Sequence, residues 1–392
     1  MEEIKKYILL QNNYSVAYTD DDVFVNEEKV KKEDGDTRSA KEIAEIHKNN
    51  LYNTFLKKHY KHIVVLTAAG TSLDNGDKGG KTRDGLWTEC QIEIDAFDAE
   101  IDKFKENEFY KNKNMEDLLS YVILFGKVNK NKRENILNLQ KTLEKKIKEL
   151  CTLELDNSAP HRDFLNKITA RKSNDARIQL FTTNYDTLFE QAANKAGFVI
   201  IDGFSFTQPR EFAGKWFDLD IVNREKTRLK QEESFVTKVF HLYKLHGSLN
   251  WTNEKDRIIQ KNTDNPLIIY PASEKYESSY EQPFFEMMSR FQQALRKEET
   301  LLIVVGFGFQ DKHIQNVIVE AVEQNPSFQL LIVNYNGTGG VTTDSLDHFF
   351  TDKERMKVER KVNIVFETFK SFTDNYPENQ TYYPKDKENA TV

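Results

Sequence analysis

The chain has 392 residues, more than one simple core holds, so a large domain with an insertion or extension is expected. A net charge of −7, with 30% charged and 38% hydrophobic residues, supplies no basic excess for non-specific binding to nucleic acid, so direct nucleic-acid binding is not expected of this chain alone. Its two cysteines, Cys90 and Cys151, are too few for a four-thiolate zinc site, lie outside any Cys-x-x-Cys pair and suit a reducing cytoplasm.

Residues 1–35 carry short alternating or apolar runs at Tyr7–Leu10, Ser15–Tyr18 and Val23–Val25, and read as a small β appendage. Met1 to Asn12 lacks the basic start and long apolar stretch of a signal peptide, and no run is long enough to span a bilayer. A cytoplasmic protein with no membrane partner is the expectation. Ser39 is placed to cap a helix reaching about His59. His62–Thr67 is a β-branched run of the kind found in buried parallel strands. Residues 73–85 are rich in Gly, Asp and Lys and read as a loop. Residues 89–151 read as helices, with Ile136, Leu139, Leu143, Ile147 and Leu150 on one face, and form a helical subdomain inserted between the first two strands of the sheet.

From there strands and helices alternate. Helices are expected at 161–171, 187–196, 280–297, 311–324 and 342–350. Strands are expected at Ile178–Phe181, Phe198–Ile201, Val239–Leu245, Leu267–Tyr270, Leu301–Val305, Gln329–Asn334 and Val362–Phe366. Residues 203–235 look irregular, and residues 375–392 read as a disordered tail. The alternation argues for a doubly wound α/β domain over residues 36–374.

Four short motifs sit at strand ends, which in an open parallel sheet converge on one crevice. Ala68-Ala69-Gly70-Thr71-Ser72 follows the first β-branched strand. Its small residues and hydroxyls suit a pyrophosphate, although such turns often carry Gly and Ser for geometry alone. Thr182-Thr183-Asn184-Tyr185-Asp186 is a dense polar run that simple turn chemistry also explains. His246 closes a strand and precedes Gly247-Ser248; a lone His there is usually structural, but Gly leaves the imidazole room to face a cavity. In Val305-Gly306-Phe307-Gly308-Phe309-Gln310-Asp311, Gly306 and Gly308 leave space for ribose or phosphate, and Gln310 or Asp311 suits a helix cap. Asn334 is either a ribose ligand or a plain strand-end Asn.

In this order and context the motifs resemble the sirtuin family, and more nearly its bacterial sirtuin-like members of antiphage defence than its deacetylases. The match runs over roughly residues 60–340. The resemblance implies a Rossmann-like doubly wound parallel sheet. It implies Asn184, His246 and Asp186 as catalytic residues, and Ala69, Gly70, Thr71, Ser72, Gly306, Gly308 and Asn334 as the groups that hold NAD+. The sequence departs from the family in Ala68, which replaces the first glycine of the phosphate loop. It also lacks the zinc-binding cysteines and a clear Asp-Phe-Arg element, for which Arg83-Asp84-Gly85-Leu86-Trp87 is a loose substitute.

The activity implied is NAD+ glycohydrolysis to nicotinamide and ADP-ribose, without zinc and with no cofactor beyond NAD+ as substrate. The role implied is NAD+ depletion in abortive antiphage defence, with a homo-oligomer and a HerA-type ATPase as expected partners. A non-catalytic NAD+ or ADP-ribose sensor and a nuclease-complex subunit are the alternatives. The presence of both Asn184 and His246 disfavours the first, and the acidic charge disfavours the second.

Overall fold

The computed structural model describes residues 5–32, 35–97, 106–128, 133–172, 175–223, 235–269, 281–335 and 344–378. Strands β1 (Lys6–Gln11), β2 (Tyr14–Tyr18), β3 (Val23–Val25) and β4 (Glu28–Lys29) open the chain as an antiparallel meander. The β segments read from the sequence are present, but they continue the main sheet rather than stand beside it. Strand β1 pairs with Val362–Val365, and Leu9, Leu10 and Val16 are fully buried.

Helix α1 (Ala40–Leu51) begins at a capping box in which Ser39 and Glu42 satisfy each other's backbone N–H groups. It passes into a π-turn at Tyr52–Leu56, so the regular helix is shorter than the apolar spacing suggested. Strand β5 (His62–Thr67) follows and leads into α2 (Ala69–Leu73). Helices α3 (Arg83–Phe97), α4 (Glu108–Lys111), α5 (Met115–Val128) and α6 (Arg133–Cys151) make the inserted block. The block has its own core, including Trp87, Cys90, Leu118, Val122, Leu143 and Ile147. Helix α3 starts at Arg83, inside the stretch read as a loop, because Thr82 caps Gly85 and the chain coils immediately after the glycines.

The alternation expected beyond residue 151 is present as α7 (His161–Ile168), β6 (Gln179–Thr182), α8 (Leu188–Ala196), β7 (Val199–Ile201), β8 (Arg210–Glu211) and β9 (Val239–Lys244). It goes on through the hairpin β10 (Trp251–Glu254) and β11 (Arg257–Gln260), then α9 (Phe284–Leu295), β12 (Thr300–Val305), α10 (Lys312–Gln324) and β13 (Gln329–Val333). The ribbon β14 (Phe350–Asp352) and β15 (Lys357–Val358), strand β16 (Val362–Val365) and α11 (Phe369–Asn375) complete it. Three local expectations change. The helix expected at 342–350 is a 3₁₀ turn, Asp344–Phe349. The strand expected at Leu267–Tyr270 makes only a bridge between Ile268 and Gly247, and Tyr270 lies outside the described residues. The segment read as irregular supplies β8, which joins β10 and β11 in a small antiparallel sheet. Of the tail expected at 375–392, Asn375 closes α11 and Tyr376 is buried, and the residues beyond Glu378 lie outside the described residues.

The large sheet runs β4-β3-β2-β1-β16-β13-β12-β5-β6-β9-β7 and is parallel from β16 to β7. Alternate residues of β5 divide between two cores: Ile63 and Val65 face α1, α7, α8 and α11, whereas Val64 and Leu66 face α9 and α10. A three-layer, Rossmann-like α/β architecture results. From β5 the chain moves outward to β6 and β9 on one side and later to β12, β13 and β16 on the other. The topological switch point therefore lies between β5 and β12, where open α/β sheets leave a crevice at their carboxyl edge.

Candidate active site

A cavity of about 610 Å³ occupies that crevice. Loops after four strands line it: Ala68, Ala69 and Ser72 after β5; Thr183 to Asp186 after β6; His246 after β9; and Gly306, Phe307, Gly308, Gln310 and Asp311 after β12. The helical block closes one wall through Leu86, Leu150 and Cys151. A smaller chamber of about 190 Å³, walled in part by Leu245, Ile269, Phe284, Met288 and Ile314, shares His246, Asp311 and His313 with the larger cavity.

Asn184 is fixed by its amide nitrogen. Its Nδ2 lies within hydrogen-bond distance of the Ala68 carbonyl at 2.9 Å, the Thr71 hydroxyl at 3.1 Å and the Ser72 hydroxyl at 2.8 Å, so its two N–H bonds are shared among three acceptors. A carbonyl can only accept, so the nitrogen must be the atom that faces Ala68. The Asn184 Oδ1 is left as an acceptor with no hydrogen bond to the described residues. The residue thus clamps the loops after β5 and β6 together, and it lines the cavity.

Asp186 is buried, and both carboxylate oxygens are engaged: Oδ2 accepts from the Ser72 hydroxyl and Oδ1 from the Leu188 N–H at 3.0 Å. It therefore positions Ser72 and starts α8, while its charge borders the cavity. Below it sits a residue the motif reading overlooked. Lys244, 2% exposed, donates to the Asp186 and Tyr185 carbonyls and pairs with Glu190 at 3.1 Å. Its only sequence signal was a lysine in the apolar run Val239–Leu245.

The loop after β5 serves the fold more than the sequence suggested. The Gly70 N–H donates to the Gly306 carbonyl at 3.1 Å, and the Thr71 N–H and hydroxyl both donate to Ala68 O at 2.9 Å. Thr71 is fully buried, and neither it nor Gly70 lines the cavity. A Cβ on Gly70 would lie 2.5 Å from Gly306 Cα, so the two loops touch backbone to backbone. Gly247 answers a similar need: its φ is +84° and a Cβ would meet Leu267 O at 2.2 Å. Gly308 is different, because a Cβ there meets nothing within 4 Å and points into free space at the cavity wall. Asn334 ends β13 with its N–H on Val365 O and is not part of the cavity wall.

His246 lies 3.1 Å through Nε2 from Asp311 Oδ2. Asp311 caps α10 as expected, accepting from the His313 and Ile314 N–H groups, and this pairing with His246 comes in addition. Lys81 and Lys312, which went unnoticed in the sequence, also line the cavity, as does Cys151, read there only as a thiol outside any zinc motif. Lys81 pairs with Glu89 at 3.0 Å, while Lys312 is exposed at the start of α10. Burial pushes the Cys151 thiol up to about 12, so it stays protonated and un-nucleophilic at neutral pH. Among the described residues no group of three or more His, Cys, Asp or Glu side chains is disposed to hold a metal, and no helix is long and apolar enough to cross a membrane.

The fold and cavity define a Rossmann-like domain with a polar site at its switch point. A family model described as the SIR2-like domain matches residues 179–363, less than half of the chain. That stretch contains Asn184, His246 and Gly306–Asp311 but not the loop after β5. No curated protein matches the sequence. A solved structure titled "The Structural basis of Sirtuin Substrate Affinity" aligns with 84% of this chain and 96% of its own, at 12% identity and a TM-score of 0.35.

Proposed function

We propose that this cavity hydrolyses the N-glycosyl bond of NAD+, releasing nicotinamide and ADP-ribose. The observation that carries the reading is that Asn184, whose Oδ1 has no hydrogen bond to the described residues, and His246 line one cavity at the switch point. A volume of about 610 Å³ is of the size that holds a ligand of this class. Bound nicotinamide is a cationic pyridinium and leaves neutral, so the leaving group needs no general acid, unlike an ordinary glycoside. The reaction needs a held water or hydroxyl, a base and a field that favours a cationic ribose. Asn184 Oδ1 orients the hydroxyl, His246 takes its proton, and the Asp186 and Asp311 carboxylates supply the field. Lys312 and Lys81 offer positive charge to a pyrophosphate. This shifts part of the phosphate binding away from backbone amides of the first loop, since the Gly70 and Thr71 N–H groups are already engaged.

A wider proposal rests on the resemblance of the motifs alone: an effector that depletes NAD+ in antiphage defence, kept silent until self-assembly or a HerA-type ATPase activates it. Ile92 and Val128, 80% and 78% exposed on the helical block, give an assembly apolar surface to cover. Chromatographic measurement of nicotinamide and ADP-ribose from NAD+, repeated across protein concentration beside light scattering, tests both proposals. Equimolar products whose specific rate rises with assembly are expected. Saturable NAD+ binding with no product at any concentration or with any partner makes the protein a sensor.

A further inference from the structure

We propose that Asp311 is a positioning residue for His246, holding the imidazole by Nε2 so that Nδ1 is the nitrogen that meets the substrate. The inference rests on the reading of His246 as the base. Asp311 stands at the N-cap of α10, with Oδ1 accepting from the His313 N–H at 3.2 Å and the Ile314 N–H at 3.5 Å. Its other oxygen lies 3.1 Å from His246 Nε2. One carboxylate therefore ties the start of a helix to the end of β9. Both side chains are withdrawn from solvent, at 16% exposure for His246 and 11% for Asp311.

The consequence follows from donor and acceptor counting. An ionised carboxylate only accepts and a neutral imidazole carries one N–H, so a ring that donates to Asp311 carries its proton on Nε2. The Nδ1 lone pair is then the basic end, and it makes no hydrogen bond to the described residues. In the reaction a hydroxyl O–H bond breaks, its electron pair stays on oxygen and an Nδ1–H bond forms. The resulting imidazolium lies against the Asp311 charge.

The cap allows the two duties of Asp311 to be separated. Asn and Ser start helices about as well as Asp, so Asp311→Asn and Asp311→Ser both keep α10. Asn presents a donor amide to Nε2 and drives the ring proton to Nδ1, whereas Ser does not reach the ring. Histidine-selective ¹⁵N spectra, assigned by subtracting His246→Gln, report the tautomer directly. The wild type should show Nε2–H, and Asp311→Asn should show Nδ1–H. Its kcat for NAD+ should fall about 10²–10⁴-fold with KM changed only a few-fold, and its melting temperature should stay within a few degrees. Asp311→Ser should lose kcat similarly and show no tautomer preference. An Nδ1–H tautomer in the wild type overturns the proposal, as does an Asp311→Asn protein that keeps both tautomer and kcat. If no variant and no wild-type preparation cleaves NAD+, the glycohydrolase reading falls, and the tautomer still decides the role of Asp311.

Discussion

At Gly70 and Gly306 a Cβ would lie 2.5 Å from the other residue's Cα, whereas at Gly308 it would meet open space, so the positions make different demands on substitution. A valine at Gly70 must push Gly306 aside, so Gly70→Val should lose about 2–3 kcal/mol of stability whether or not NAD+ binds nearby. Gly308→Val has no such neighbour and should keep its urea midpoint while weakening NAD+ binding at least about tenfold, because the side chain enters the cavity. Calorimetric titration of both variants separates the effects, and unaltered binding by a folded Gly308→Val protein would remove that wall from the site. The sequence shows why such distinctions need coordinates. Asn184, His246 and Gly306–Asp311 were legible as motifs at strand ends. A glycine facing a ligand and a glycine facing another backbone look alike in one chain. Thr71 and Ser72 likewise read as ligand hydroxyls, yet both are spent inside the protein, on Ala68 O and Asp186.

The loop after β6 is an element held from beneath. Lys244 projects from β9 under Tyr185 and Asp186, and its charge is balanced by Glu190 on α8. Lys244→Met removes the cation and leaves the Glu190 carboxylate and the Tyr185 and Asp186 carbonyls without their shared partner, a loss of roughly 3 kcal/mol. Because the loop carries Asn184, NAD+ cleavage should fall further than the folded fraction does. Urea unfolding and a rate corrected for that fraction check this, and a variant as active per folded molecule as wild type would show that Lys244 serves stability alone. Regular elements with strong periodicity, such as β5, β12 and α10, matched the sequence reading to within a residue or two. The N-terminal antiparallel strands matched equally well, but the small sheet of β8, β10 and β11 was missed. Strands β10 and β11 pair with each other across a tight turn at Lys255-Asp256, and the two-residue β8 carries no period of its own and owes its pairing to β11, tens of residues away.

At the scale of the molecule, buried imidazoles couple folding to acid. His161 is fully buried between Phe189 and Phe369, neither ring nitrogen is hydrogen-bonded, and burial pushes its pKa from 6.5 down to about 3. His241 is pushed down to about 4, again chiefly by burial. Between pH 6.5 and these values the unfolded chain holds protons that the native state refuses, so stability falls as pH drops below 6.5. The slope approaches about 1.4 kcal/mol per pH unit for each group. His161→Leu should lessen the drop in urea midpoint between pH 7 and pH 5.5, and parallel drops in the two proteins would assign the acid sensitivity elsewhere. The same global view explains what composition could not tell: the N-terminal meander is part of an eleven-stranded sheet because β1 finds β16, some 350 residues later. The central claim is that the crevice between β5 and β12 cleaves NAD+ through Asn184 and His246. Nicotinamide release by wild type, Asn184→Ala and His246→Ala, each matched for folded protein by circular dichroism, tests it most directly. The account predicts cleavage by the wild type and losses of at least about 10²-fold in both variants. Cleavage by either variant at the wild-type rate would contradict it.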